Sequence, residues 1–515
     1  MWSLSLYREQ CSAHFVIFAR LMFWRCCATV SCAAYTPRIP GDSLFGPNVK
    51  LPVGRMKRCV STHCFFCILA LFCCFTAPHL RAQSVEHLNS GRSAGKIFQS
   101  NADSAPNNQQ PRVPTQAETD QYRLSRDRYE KAISYSRAGY TLYFISYFLS
   151  TAALLLILRL GIAAKFRDVA EAVSDKRWIQ CLIFVPLLIL LTALFELPVR
   201  VYWHALSLRY QQSIQHWGSW IVDRAKEEAL SIGLAVLLVF VLSVAMRKSP
   251  RRWWFYFWLA ALPILLFFFF ISPWFIDPLF NHFEPLAKEH PQLVTSIETL
   301  TQRAGVPIPG DRMFLMQASE KTNAINAYVT GIGASKRVVL WDTTIQKTST
   351  DEALFIVGHE LGHYALGHVA IAFLFFAVSL LFALYVMFRA LHWSLDRWGR
   401  EWKISGPEDW AAIAVLLLWL QILTFISSPI ANGFSRMQEH AADVYGLEVI
   451  HGLVPNSEEV AAHGFQVLGE LDLSDPNPPA FITFWLYSHP PLAERLVFAH
   501  AYDPWSKGES PKYVK

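Results

Sequence analysis

The chain has 515 residues, 53% of them apolar and 14% aromatic, and a formal charge of only +6. So apolar a composition excludes a disordered or fully solvated chain, and so small a charge gives nucleic acid no footing as a partner. Nine of the ten cysteines fall at or before Cys74 and the tenth, Cys181, lies in an apolar run, which excludes a disulfide framework and a Cys-rich zinc module.

Along the chain, Met56-Lys57-Arg58 precedes an apolar run over 64–77 and then Leu80-Arg81-Ala82. Basic, apolar and small-residue parts in that order predict a secretory signal. Residues 1–55 then form an extension upstream of a second start. The competing reading makes 64–77 a first membrane helix, but its fourteen residues fall short of the roughly 20 that a span needs. Residues 83–120 are rich in Ser, Asn, Gln and Pro and read as a linker. A charged helix is expected over 123–137.

Six apolar stretches are long enough to cross a bilayer: 140–162, 179–199, 227–246, 253–276, 369–390 and 410–430. The fourth contains Phe267 to Phe270 and is flanked by Trp253, Trp254 and Trp274, as an aromatic belt would be. The densest basic loop, 247–252, is cytoplasmic by the positive-inside tendency, which places the segment after the fourth span on the other side. The basic run over 123–137 points the other way, so orientation stays open.

Between the fourth and fifth spans, 278–368 has the mixed pattern of a small α+β unit. Strands are expected at 313–318, 327–332 and 337–341, with a turn over 333–336. Asn326-Ala327-Tyr328 is a candidate strand edge for pairing with an extended substrate. A buried structural strand is the alternative.

Phe355 to Tyr364 contains H-E-x-x-H. Positions i and i+4 share a helix face, so His359 and His363 can direct two imidazoles at one metal ion. Glu360 is one step round, within reach of a water there, and can take its proton and pass it to a leaving amine. Ser349 and Glu352 form a capping box ahead of the run. Ala353, Leu354, Ile356 and Val357 are helix-compatible, and Gly358 and Gly362 leave room for close packing. Zinc in such a site takes a third protein ligand and keeps one position open. Glu439 is the candidate, with Asp443 one turn on to accept the other ring N–H of a ligand histidine. His440 is a chemical competitor, but it points about 100° away from Glu439 on the same helix. Near the end, His489 and Arg495 in Ser488-His489-Pro490-Pro491-Leu492-Ala493-Glu494-Arg495 could stabilise an oxyanion. A capping turn with a surface arginine is the alternative. His368, five residues past His363, is off the metal face.

These pieces resemble the type 1 CAAX prenyl protease family of membrane zinc endopeptidases. The resemblance is carried by Trp274 to Leu286, Asn326-Ala327-Tyr328, Lys336 to Thr343, His359-Glu360-Leu361-Gly362-His363, Ser435 to Asp443, and Ser488-His489-Pro490-Pro491 with Arg495. It covers about 270–500 well and the first four spans more loosely. It implies one zinc ion held by His359, His363 and Glu439, with Glu360 as base. It also implies transition-state roles for His489 and Arg495, and substrate backbone pairing at Asn326 and Ala327. Further implications are a ring of membrane helices around a water-filled chamber, and peptide or protein substrates, lipidated or membrane-associated. The family's seven spans and cytosolic catalytic face contrast with six spans after a signal-like segment here.

The expectation is a mainly α, multi-pass membrane protein with a zincin-like metallopeptidase module carrying a small β-sheet. Its parts are an extension and signal-like segment (1–82), a linker and charged helix (83–138), a four-span region (139–277), a zinc metallopeptidase domain with two further spans (278–502) and a tail (503–515). Rival readings are a quality-control protease for membrane proteins, a site-two-type intramembrane protease, and a non-catalytic zinc-binding transporter or sensor. The site-two type needs a metal helix inside an apolar span, and 340–363 is too polar upstream. A transporter needs charges within its spans, and Arg159 and Glu196 are the main ones before the motif.

Overall fold

Unbroken apolar runs set the architecture, and their ends carry the chemistry. The computed structural model describes residues 122–514 apart from Ile332. The expected signal segment and the linker over 83–120 lie outside the described residues.

Ser125 caps helix α1 (Arg126–Arg159), its hydroxyl accepting from the Arg128 N–H. The charged helix and the first span are therefore one helix of 34 residues, since nothing between Arg137 and Tyr140 breaks it. Gly161, at φ 63°, turns the chain into a short helix, α2 (Ile162–Val173), which the apolar runs concealed because it buries only Ala163, Ala164 and Ala170. Three more long helices follow: α3 (Arg177–Arg209), α4 (Trp217–Lys248) and α5 (Trp253–Ile271). A π turn at Ser272–Ile276 and a final turn at Asp277–Phe280 extend α5.

The polar unit begins with β1 (Phe283–Pro285), a three-residue strand too short for its sequence to announce. Then come α6 (Pro291–Arg303), β2 (Met313–Met316), β3 (Ala327–Thr330), β4 (Arg337–Trp341), α7 (Asp342–Lys347) and α8 (Thr350–Ala365). The strands order β1-β2-β4-β3. β2 and β4 are parallel, with Met313 opposite Val338. β3 is antiparallel to β4, with Ala327 opposite Leu340, and forms one edge of the sheet.

Two further long helices follow, α9 (His368–Trp398) and α10 (Ala412–Ile450). The chain closes with α11 (Ser457–Asp472), α12 (Ala480–Leu486) and α13 (Leu492–Ala501). Six helices are long and apolar enough to cross a membrane. Side chains such as Leu194, Phe267, Leu374 and Phe382, 58–69% exposed, line their outer faces, as lipid-facing positions would. α10 is the informative one. The sixth apolar stretch does not stop near 430 but continues as helix, through Pro429, to Ile450.

α8 packs against β3 on one side and α10 on the other. Its approach to α10 is set by glycines. A Cβ on Gly446 would lie 3.0 Å from the His359 backbone nitrogen, and one on Gly358 would lie 2.9 Å from Val449 Cγ1. Overpacking of this kind costs about 1–3 kcal/mol. Gly446→Ala is expected to lower the thermal midpoint in detergent. Gly233→Ala in α4, where a new Cβ meets nothing within 4 Å, is expected to leave it unchanged or raise it slightly, because alanine is the better helix former. Equal midpoints for the two variants would refute the role given to the close approach.

Candidate functional site

The start of α8 is fixed by the expected capping box. The Ser349 hydroxyl accepts from the Glu352 N–H at 3.2 Å, and the Glu352 carboxylate accepts from the Ser349 N–H at 2.8 Å. Two turns later the helix delivers His359 and His363 to one face, with their Nε2 atoms 3.3 Å apart. α10 brings Glu439 against them. His359 Nε2 lies 3.2 Å from Glu439 Oε2, and His363 Nε2 lies 3.6 Å from Oε1. Three donor atoms from two helices thus converge on one point.

Their spacing can be tested against a metal. Bonds of about 2.0–2.2 Å in a tetrahedron put ligand atoms roughly 3.3–3.6 Å apart. The distances among the two imidazoles and the carboxylate match that edge length. The chemistry matches too, since two neutral imidazoles and a carboxylate form a set that binds divalent metal. Glu360, next to His359 and 9% exposed, is buried beside the cluster.

Behind the cluster lies a chain of charge. His359 Nδ1 is 2.8 Å from Asp443 Oδ1, so one ring nitrogen faces Glu439 and the other is held from behind. Asp443 in turn accepts from Arg495 through both Nε, at 2.9 Å, and Nη2. The Arg495 guanidinium also lies 4.3 Å from the centre of the Phe465 ring, and the residue is 3% exposed. The sequence offered Arg495 as an oxyanion donor; in the fold its guanidinium forms a bidentate pair with Asp443, a carboxylate at zero exposure.

His489 lies beside the cluster. Its Nε2 is 3.2 Å from Glu439 Oε2, and its Nδ1 is 2.9 Å from the Ser488 hydroxyl. The preceding loop is tied down by α10: Ser435 donates to the Ser488 carbonyl, and Arg436 to the carbonyls of Thr483 and Tyr487. His440 is exposed and packs on Phe498, centroids 4.7 Å apart, away from the cluster. Asn326 precedes the edge strand β3. Its N–H donates to the Thr344 hydroxyl at 2.8 Å, and that hydroxyl donates to the Asn326 carbonyl at 2.7 Å. Ala327 is 1% exposed.

His368, set aside as a ligand by the sequence, is not among the three converging donors but stands behind one of them. His368 Nδ1 lies 3.0 Å from His363 Nδ1. Five residues along a continuous helix would put it off the face, but α8 ends at Ala365 and Gly367, at φ 68°, turns the chain back. Glycine directly before an apolar span was the available signal.

Burial and charge divide the two motif histidines. Burial alone would strip the charge from His359, yet hydrogen bonds to Asp443 and Glu439 outweigh it and hold the pKa up at about 9. Burial pushes His363 down to about 3, with Glu439 opposing and His359 reinforcing. Burial lowers His489 also, against the pull of Glu439. In chelator-treated protein the raised His359 pKa therefore stabilises the fold fully below its unfolded value of about 6.5. That stability is lost as pH climbs through about 9. Thermal midpoints measured from pH 6 to 9.5 are expected to fall more for the wild type than for His359→Gln. Parallel curves would refute the assignment.

Comparison with known proteins gives the site its context. Residues 287–502 match the peptidase family M48 pattern, and residues 105–282 match the CAAX prenyl protease N-terminal pattern of five membrane helices. An uncharacterized metalloprotease of Bacillus subtilis, YhfN, is 37% identical over 368 residues, 72% of this chain and 84% of that protein. CAAX prenyl protease 1 of Saccharomyces cerevisiae is 27% identical, over 62% of this chain and 71% of its own. The crystal structure of S. mikatae Ste24p superposes with a TM-score of 0.64 at 26% identity, covering 76% of this chain and 92% of that one.

Proposed function

The chain belongs to peptidase family M48 and is an integral, multi-pass membrane metalloendopeptidase, and from that premise we propose that its metal is one zinc ion held by His359, His363 and Glu439. The observation that carries this reading is the convergence of two imidazole nitrogens, 3.3 Å apart, on the two oxygens of one carboxylate at 3.2 and 3.6 Å. Bound there, zinc supplies Lewis-acid polarisation of the scissile carbonyl and acidifies a water.

The protein's own groups do the rest. Glu360 takes the proton of the attacking water on its carboxylate and returns it to the leaving amine. His489, its Nδ1 fixed by Ser488, presents Nε2 to the oxyanion that develops on the substrate. Asp443 holds His359 in the tautomer that leaves Nε2 to the metal, and Arg495 keeps Asp443 ionised and in place. His368 orients His363 in the same way from the other nitrogen. An extended substrate adds to the β3 edge, with Asn326 and Ala327 at its start.

The module over 278–502 acts on polypeptide segments at the membrane, lipidated ones included, as the CAAX prenyl protease relatives suggest. It has no business with nucleic acid. Residues 281–367 and 451–514 hold 10 Lys or Arg against 17 Asp or Glu, the wrong sign for phosphate.

Two experiments test the proposal. Wild type and Glu360→Gln, purified in detergent, are expected to hold one zinc each, while the variant loses about 10²–10⁴-fold in cleavage of a quenched peptide. The ratio between prenylated and unprenylated versions of that peptide reads the importance of the lipid. A wild type without zinc, or a Glu360→Gln protein of full activity, would sink the reading. Separately, Arg495→Ala is expected to weaken zinc binding about 10–100-fold, measured by competition with a chromophoric chelator. His489→Gln is expected to keep the metal and lower kcat. Lost turnover with intact affinity in Arg495→Ala would return that residue to the oxyanion.

A further inference from the structure

The loop that carries His489 is held from two sides. On one side α10 takes its backbone. The Asn432 amide donates to the Trp485 carbonyl at 2.6 Å, Ser435 to that of Ser488, and Arg436 to those of Thr483 and Tyr487. On the other side the first long helix takes a side chain. The hydroxyls of Tyr140, on α1, and Tyr487 are 2.7 Å apart. The Tyr140 hydroxyl also reaches Asp475 Oδ2, just beyond the end of α11, in a longer contact of 3.4 Å. A carboxylate only accepts, and a phenol has one proton to give. The series therefore runs in one sense: Tyr487 donates to Tyr140, and Tyr140 donates to Asp475.

The Asp475 end is firmly built. Asp475 is 4% exposed, and its Oδ1 accepts from the Asn477 N–H at 3.0 Å. A carboxylate so buried depends on such bonds. Two residues earlier, Leu473 stands at φ 48°, in the left-handed region that a bulky side chain enters only at a cost. α1 holds it there. Ser136, one turn before Tyr140, donates to the Leu473 carbonyl at 3.1 Å, and Ala132 and Tyr135 form a core with the Leu473 side chain. One face of α1 thus fixes the 473–475 segment and, through Tyr140, reaches the loop of His489. Tyr140 lies in the part of the chain that matches the N-terminal membrane pattern and His489 in the part that matches the peptidase pattern, so the contact joins the two.

We propose that Tyr140 is a positioning residue for catalysis: by holding Tyr487 it keeps Ser488 and His489 in register, with His489 Nε2 beside Glu439 and within reach of the developing oxyanion. The route is short. Tyr487 adjoins Ser488, whose hydroxyl holds His489 Nδ1 at 2.9 Å, and His489 Nε2 lies 3.2 Å from Glu439 Oε2. An oxyanion donor must stand about 2.7–3.1 Å from the charge it stabilises, and a misplacement of about 1 Å can cost about 10²-fold. Without the phenol pair the loop keeps its four carbonyl bonds to α10, so it stays folded and loses precision. The inference rests on the reading of His489 as oxyanion donor.

Tyr140→Phe removes one oxygen and keeps the ring. In the full-length chain in detergent it is expected to lower kcat on the quenched peptide about tenfold, with KM within twofold of wild type and zinc content unchanged. Tyr487→Phe is expected to match it, and the two together to lose no more than either alone, because both remove one contact. In a His489→Gln background, Tyr140→Phe is expected to cost less than twofold. Tyr129→Phe, 47% exposed on the same helix, is expected to change nothing. Full activity in Tyr140→Phe, a loss carried by KM or by zinc, or an equal tenfold loss in the His489→Gln background would overturn the proposal. Should Tyr140→Phe not accumulate, Tyr487→Phe reads the same contact from its other end, with the same expected outcomes. Backbone hydrogen exchange reads it without proteolysis. Tyr140→Phe is expected to speed exchange over 484–489 at least fivefold and to leave 355–363 unchanged, and unchanged exchange over 484–489 would overturn the proposal. A wild type that cleaves no peptide overturns the peptidase reading and this role with it, whereas any of the other failures in a wild type that cleaves overturns this role alone.

Discussion

The site depends on one close contact, that of α8 with α10 at Gly358 and Gly446. Side chains of ordinary size there would hold the two helices apart. Without them, the backbone of one helix reaches the backbone of the other, and the Cβ positions of His359 and Glu439 fall within a ligand's reach. Glycine weakens a helix interior by about 1 kcal/mol, so the approach is made at the expense of local stability. Packing on both sides of α8 offsets that, through Phe355, Val357 and Leu361 in the core shared with α6, α11 and α13.

The contact also creates an electrostatic problem. Glu439, Asp443, His359 and Arg495 are all 3% exposed or less. Removing such groups from water is costly unless each is paired. Here they are paired in series, from guanidinium to carboxylate to imidazole to carboxylate. An unbroken series in a poorly polarisable interior strengthens each bond in it. It also holds the imidazole plane in one orientation, as a metal ligand requires.

The sequence was most legible where chemistry imposes spacing. H-E-x-x-H with its capping box located α8, and Glu439 with Asp443 at i and i+4 pointed to a second helix face. Legibility failed where connection rather than spacing decides. The contact of His368 with His363 leaves no trace in a helical wheel, because Gly367 interrupts the helix between them. No pattern in the chain shows that Arg495, offered as an oxyanion donor, pairs with Asp443. β1 is three residues long, and α2 buries only alanines, so neither leaves a periodic trace. The sixth span was cut short at 430 because its apolar composition ends there, while its helical hydrogen bonding does not.

That last feature reaches further. α10 is 39 residues long, about 58 Å at 1.5 Å per residue, against a hydrocarbon core of about 30 Å. Glu439 rides on it about 40 Å from the end at Ala412, while His359 and His363 sit on α8, which is not a span. A rod anchored in lipid and a helix anchored in the polar unit thus share one ligand set. A spanning helix answers a thicker or thinner bilayer by tilting or bending, and Pro429, lacking an N–H for the preceding turn, is the natural place for α10 to bend. Acyl-chain length thereby gains leverage on the spacing of the three donor atoms, and the membrane becomes a term in the geometry of catalysis.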